Sequence, residues 1–185
     1  MALAVPLSRF PSRVGGGSAF QAIAHDFCMS EHKAIISWKC ASPDFLVGKY
    51  SREHTWTFDG GLTVPASPSP SVVPVPYSNS AHVDPEEAFV AAISSCHMLT
   101  FLFLACQQAF RVDSYRDEAV GVMTRNQKGV PWVSSVRLHP QIAYSGDKLP
   151  THADEARLHQ VAHEQCFIAN SIKTEVIVRG AEHNP

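Results

Sequence analysis

The 185-residue sequence has few cysteines, and none of its five lies in a CxxC pair. An odd number of widely spaced cysteines argues against the disulfide framework of a small secreted domain. It favours a reducing compartment, so we expect a cytoplasmic protein. In such a compartment, cysteines that do pair are more often catalytic or redox-active than structural. The five are Cys28, Cys40, Cys96, Cys106 and Cys166.

The sequence also lacks an excess of charge of either sign. Fifteen basic and 17 acidic residues give a formal net charge of −2. Nothing in this balance indicates a nucleic-acid partner or an anionic membrane surface. No internal repeat is present, and 185 residues with 45% hydrophobic content suffice for one domain with its own core.

Residues 1–28 contain no acidic residue before Asp26, but they include Arg9, Arg13 and a run of three glycines. No basic segment precedes a long apolar run, which argues against a secretory signal. The scarcity of acids leaves an organellar transit peptide as an alternative. We expect 1–28 to be a disordered extension and the folded domain to cover 29–185, beginning near Met29.

The pattern of the chain predicts an α+β fold. Proline cannot donate a hydrogen bond to a sheet, so the proline-rich residues 68–84 are predicted to form an extended surface loop. The remaining strands are predicted from alternating apolar residues, and the helices from apolar residues three and four positions apart. The predicted strands are 32–40, 53–61, 62–67, 114–123, 132–145 and 171–180, and the predicted helices are 84–110 and 151–166.

The helix predicted from Asp84 to about Phe110 is almost uniformly apolar. Asp84 is a good N-cap, Pro85 suits the first helical position, and Glu87 completes a capping-box pattern. Residues 88–106 are long enough to cross a bilayer, but polar side chains lie at their centre and no basic cluster follows. We therefore expect no membrane span, but the core helix of a domain or of a dimer that buries it from both sides.

Cys96 lies near the middle of this helix, among mostly apolar helical neighbours. A cysteine in such surroundings is often an inert buried residue, and we interpret Cys106 in that way. Cys166 ends the second predicted helix, and the two helical cysteines could form a reversible disulfide if they meet. His97 is offset by one residue from Cys96 and is predicted to be a polar residue of the core or an interface.

Three segments, 84–102, 113–123 and 163–176, resemble the OsmC/Ohr family of thiol-dependent hydroperoxide reductases. The specific feature is a Pro-Glu pair ten residues before an in-helix cysteine, with a second cysteine before the last strand. The resemblance covers roughly residues 31–180. It implies antiparallel sheets wrapped around long central helices in an intertwined homodimer, with the active sites at the dimer interface.

The resemblance also implies a chemistry without metal, flavin or haem. Cys96 would be the peroxidatic thiol, Cys166 the resolving thiol and Glu86 the carboxylate of the site. The substrate would be a small organic hydroperoxide, and a small dithiol or lipoyl group would be the reductant. Family members also use an arginine; Arg52 is the candidate here, with a solvated surface charge as the alternative reading.

Two other interpretations stay open. His159, His163 and Cys166 share one face of the second helix, and with Cys96 they could form a Cys₂His₂ zinc site. Alternatively, the protein is a non-enzymatic dimer that binds a hydrophobic small molecule or senses oxidants through its two cysteines. Catalytic turnover of a hydroperoxide separates an enzyme from the binding module, and the metal content of protein purified without added zinc tests the zinc site.

Overall fold

The computed structural model describes residues 30–179, so the predicted extension over 1–28 lies outside the described residues. The compact unit that carries the helices and strands begins at Ala34. Within the described range it has eight strands and three α-helices. They are β1 (Ala34–Ser37), β2 (His54–Phe58), β3 (Thr63–Ala66), α1 (Pro85–Gln107), β4 (Arg111–Asp117), β5 (Val120–Arg125), β6 (Pro131–Leu138), β7 (Pro140–Ser145), α2 (His152–Gln165), α3 (Phe167–Asn170) and β8 (Glu175–Val178).

The α+β prediction is confirmed, but two predicted strands are each divided in two. The segment 114–123 contains the break between β4 and β5, and 132–145 contains the break between β6 and β7. Pro140 has no N–H to continue a ladder. The N–H of His139 instead donates to Oδ1 of Asp117 at 2.6 Å, while Ser94 Oγ donates to Oδ2 of the same carboxylate at 2.5 Å. Asp117, at the first break, is therefore hydrogen-bonded both to the second break and to α1.

These four strands form one bent hairpin, which we call the ribbon (β4–β7). β5 pairs with β6 and β4 pairs with β7, both antiparallel. At the tip, Gly129 has a φ of 78° and its N–H donates to Asn126 O. That left-handed conformation favours glycine.

The antiparallel sheets are as expected, and the last strand adds one parallel pair, β8 with β6. Parallel neighbours need a crossover connection, and the segment with α2 and α3 supplies it. The resulting sheet has the order β5-β6-β8, while β1-β2-β3 form a separate antiparallel sheet.

α1 starts as predicted. The Asp84 side chain accepts from Glu87 N at 2.7 Å, and the Glu87 carboxylate accepts from Asp84 N at 3.3 Å. The helix ends at Gln107, short of the predicted Phe110, because Ala109 turns into the left-handed region with a φ of 57°.

The two halves of α1 pack against different elements of the fold. Its N-terminal half packs on the sheet β5-β6-β8, where a Cβ added to Gly121 would lie 2.6 Å from Val90 Cγ2. Its C-terminal half packs on α2 and on β4 and β7. The buried apolar residues are Ile93, Val136, Leu138 and Val178 in the first contact and Phe101, Leu104, Ala105, Phe110, Leu158 and Ala162 in the second.

Much of the apolar surface of α1 stays uncovered in one chain. Only 28% of its most hydrophobic 18-residue window is buried, and Leu99 is 62% exposed. By length and composition alone, α1 is the one helix within residues 30–179 that could cross a membrane; core helices of soluble proteins meet the same criteria. Leu46 near β1 is 94% exposed. The predicted homodimer would cover such surfaces, and it stays a prediction.

Candidate active site

The fold brings together Cys96 and Cys166, which are 70 residues apart in the sequence. Cys96 lies half-buried in the middle of α1. Cys166 is 1% exposed; it ends α2 and caps α3, where its Sγ accepts from Ala169 N at 3.5 Å. Both thiols are free, and their side chains interact. The geometry therefore supplies a dithiol at the junction of two helices.

The two thiols are not equivalent. Burial raises the pKa of the Cys166 thiol, and the interaction with Cys96 raises it further, while the N–H groups of Ile168 and Ala169 act in the opposite direction. A thiol with a raised pKa stays protonated at neutral pH and is a poor nucleophile. Cys166 is thus suited to the second step of a two-thiol reaction and not to the first.

A buried histidine pair lies beside the cysteines. His97 Nε2 and His159 Nδ1 are 3.1 Å apart, and the two rings are stacked at 10° with centroids 5.3 Å apart. Each residue is 1% exposed, and Phe101 stacks on His159 with a centroid distance of 4.4 Å. Burial lowers the pKa of both imidazoles to about 4. The pair is therefore neutral at neutral pH.

The prediction that His97 is a polar residue of the core is confirmed. His159, considered above only as a possible zinc ligand, is also buried, and sequence reasoning missed the pair. One signal was available: Ala156 and Ala162, three residues to either side of His159, are small and buried. A stripe of alanine marks the face of α2 that approaches another helix.

The zinc alternative gains no support. Within residues 30–179, no group of three or more His, Cys, Asp or Glu side chains is arranged to hold a metal ion. His159 is directed to His97. The helical face shared with His163 and Cys166 is therefore not a converging ligand set.

Glu86 is half-buried and lies in another place, a cleft of about 780 Å³ along the N-terminal half of α1. Acidic and apolar side chains line this cleft, among them Asp117, Val90 and Met123. Cys96 does not line it. Ten helical residues correspond to a rise of about 15 Å, which a glutamate side chain does not span. Within one chain, Glu86 and Cys96 do not share a site.

Arg52 is placed by aromatic residues. Its Nη1 donates to Tyr50 O at 2.9 Å, and its guanidinium lies 4.1 Å from the ring centroid of Tyr50 and 5.8 Å from that of Tyr77. In the part of the chain that the structure describes, Arg52 forms no ion pair with a carboxylate. The expected cation beside Glu86 is therefore not supplied within one chain, and the role of Arg52 stays a prediction.

Cys106 requires a correction. It was predicted to be buried, yet it is exposed in the single chain, on the last turn of α1. Because α1 is apolar on all sides, its sequence does not indicate which face is exposed in the single chain. Its exposure makes Cys106 a useful control for the chemistry of the other two thiols.

The comparisons with known proteins agree with this architecture. The sequence model of the OsmC-like protein family matches residues 78–179, more than half of the chain. A solved OsmC-like protein of unknown function from Vibrio cholerae is 55% identical; the match has a TM-score of 0.79 and covers 82% of this chain and 99% of that one. None of the curated proteins compared with the chain matches it significantly.

Two more distant solved structures share the fold. An organic hydroperoxide resistance protein from Elizabethkingia anophelis is 17% identical, with a TM-score of 0.62 and coverage of 83% of this chain and 96% of that one. The organic hydroperoxide resistance protein OhrB of Bacillus subtilis is 18% identical, with a TM-score of 0.54 and coverage of 80% and 95%. At these identities the likeness shows the fold alone. The family match and the 55% identical structure establish that the chain belongs to the OsmC-like protein family.

Proposed function

We propose that this protein is a thiol peroxidase that reduces organic hydroperoxides to alcohols. The observation that carries the proposal is the meeting of Cys96 and the buried Cys166 at the α1–α2 junction. Three fold relatives bear the name organic hydroperoxide resistance protein, which supports a peroxidase-like role at the level of the family. The apolar surroundings of α1 favour peroxides with hydrophobic groups over hydrogen peroxide.

The reaction uses only the two sulfur atoms and an external dithiol. The Cys96 thiolate attacks one peroxide oxygen, the O–O bond breaks, and the leaving alkoxide takes a proton to become an alcohol. Cys96 is left as a sulfenic acid. The Cys166 thiol attacks that sulfur, which forms a disulfide and releases water. A small dithiol then exchanges with the disulfide, restores both thiols and leaves as its own disulfide.

We infer that a second copy of the chain completes the site. Glu86 cannot reach Cys96 within its own chain, and Arg52 contacts Tyr50 and Tyr77 and does not line the cleft that contains Glu86. An intertwined homodimer would cover the exposed apolar side of α1. It would also allow Glu86 and Arg52 of one copy to approach Cys96 of the other, where a cation stabilises a thiolate.

Steady-state kinetics test the proposal. Full-length reduced protein is mixed with cumene hydroperoxide and dihydrolipoamide, and loss of peroxide is followed. We expect turnover that Cys96→Ser abolishes, because no other thiol occupies its place. In the absence of the dithiol, Cys166→Ser should consume one equivalent of peroxide and accumulate a sulfenic acid. Cys106→Ser, which removes the exposed thiol of the same helix, should keep the wild-type rate.

Peptide mapping provides the decisive product. Peroxide-treated wild-type protein should yield one disulfide-linked peptide pair that contains Cys96 and Cys166. Full activity in Cys96→Ser, or peptides in which both cysteines remain thiols, would reject the mechanism. Oxidation of the pair with one equivalent of peroxide but no turnover with any dithiol would instead favour the oxidant-sensing alternative.

A further inference from the structure

The helices that carry the two cysteines are joined a second time by the buried histidine pair. His97 directly follows Cys96 on α1, and His159 precedes Cys166 by two turns on α2. The histidines therefore connect the same two helices, next to Cys96 on α1 and two turns before Cys166 on α2. Neither residue has a part in the peroxidase chemistry described above.

The hydrogen bond between the two rings depends on the distance between their nitrogen atoms and on the single proton that they share. With a separation of 3.1 Å, one of His97 Nε2 and His159 Nδ1 donates a hydrogen bond and the other accepts it. The outer nitrogens, His97 Nδ1 and His159 Nε2, are buried and have no hydrogen-bond partner in the described part of the chain. A slip of about 1 Å between the helices would lose this hydrogen bond without offering another.

A disulfide between Cys96 and Cys166 also requires that α1 and α2 lie at a fixed, short distance from each other. Its sulfur atoms must approach to about 2 Å, and the Cα atoms that carry them must lie within about 7 Å. We propose that His97 and His159 are positioning residues that fix α1 against α2 and thereby hold Cys96 and Cys166 within bonding range. This inference rests on the two-thiol cycle of the proposed function.

The surroundings of the pair set its charge state. Burial lowers the pKa of both imidazoles; His163 lowers that of His97 further, and Asp117 raises it. At neutral pH the pair is uncharged, and its hydrogen bond is intact. A proton on each ring would place two N–H groups head to head and separate the helices. The titratable groups that act on the pair from outside are His163 on α2 and Asp117 on β4, both through His97, while His97 itself acts on His159.

The test measures the dithiol–disulfide equilibrium of the full chain in glutathione buffers at pH 7, with no peroxide present. His159→Phe keeps a ring that can stack on Phe101 but removes the hydrogen bond. We expect its equilibrium constant for disulfide formation to fall about fivefold or more, the lower end of typical couplings between sites. His159→Asn keeps a polar atom near the position of Nδ1 and should recover most of the loss. His152→Gln, at an exposed position on the same helix, is the matched control and should match wild type.

An unchanged equilibrium in His159→Phe, or an equal loss in His152→Gln, overturns the inference. If His159→Phe does not fold, the inference is tested in the wild-type protein, by NMR titration of His97 and His159 in the reduced and the oxidised state. By linkage, a disulfide that holds the helices together disfavours protonation of the pair, so the apparent pKa should be lower in the oxidised protein. Identical titrations in both redox states refute the role. Absence of peroxidase turnover with a normal disulfide equilibrium would refute the proposed function alone.

Discussion

Acidification should destabilise this protein well above the pH at which carboxylates titrate. His97 and His159 are buried as neutral imidazoles, with pKa values lowered to about 4 in the folded chain. In the unfolded chain each returns to a pKa near 6.5. Below pH 6.5 the unfolded state therefore binds protons that the folded state does not, and stability falls as the pH falls from 6.5 towards 4.

The size of the effect follows from the difference between the two pKa values. Between pH 7 and pH 5, each histidine should lower the free energy of unfolding by about 2 kcal/mol, and both together by about 4 kcal/mol. Below pH 4 both states bind the proton, and the histidine contribution stops growing. This window lies above that of Asp113 and Asp154, whose pKa values are lowered by hydrogen bonds to Ser145 and Thr151, respectively.

Urea unfolding followed by tryptophan fluorescence at several pH values and one protein concentration measures this slope. His159→Asn should remove about half of the pH dependence, because one buried imidazole is gone. His152→Gln, an exposed position on the first turn of α2, is the control and should leave the slope unchanged. A free energy of unfolding that stays constant from pH 7 to pH 5, or a full slope in His159→Asn, would refute the reasoning.

Three substitutions test the fold itself. Asp84→Ala removes the cap of α1 and should lower the free energy of unfolding by about 1 kcal/mol and Tm by about 2–4 °C; an unchanged melt would contradict the role of the cap. Ala109→Gly relieves a left-handed residue and should raise the free energy of unfolding by about 1 kcal/mol in urea, whereas a decrease would contradict this. Gly121→Ala brings a methyl group against Val90 and should cost about 1–3 kcal/mol, while Gly60→Ala enters open space. Equal losses for both glycines would contradict the contact.

Local chemistry accounts for the elements that the sequence predicts well. Asp84, Pro85 and Glu87 mark the start of α1 because capping involves only residues close in the chain. Thr151 and Asp154 mark α2 in the same way. Residues whose partners are local can be assigned from a single sequence.

Contacts between distant residues account for what was missed. The break between β4 and β5 depends on Asp117 binding the N–H of His139, 22 residues away, and the apolar alternation continues through it. His97 and His159 are 62 residues apart. The cysteine pair was assigned through family resemblance and not from spacing. Glu86 remains a prediction because it lies too far along α1 from Cys96 in one chain, and Arg52 remains one because its contacts within the chain are with Tyr50 and Tyr77.

The positions of the two cysteines along the chain have a mechanical consequence. Cys96 precedes the ribbon (β4–β7), and Cys166 follows it and α2. A bond between their sulfur atoms would enclose these elements in a covalent ring of about 70 residues. Because such a ring lowers the conformational entropy of the unfolded chain, it should stabilise the folded state by about 4 kcal/mol. Oxidation would thus make the part of the chain from α1 to α3 harder to unfold. Reduction would remove that constraint again.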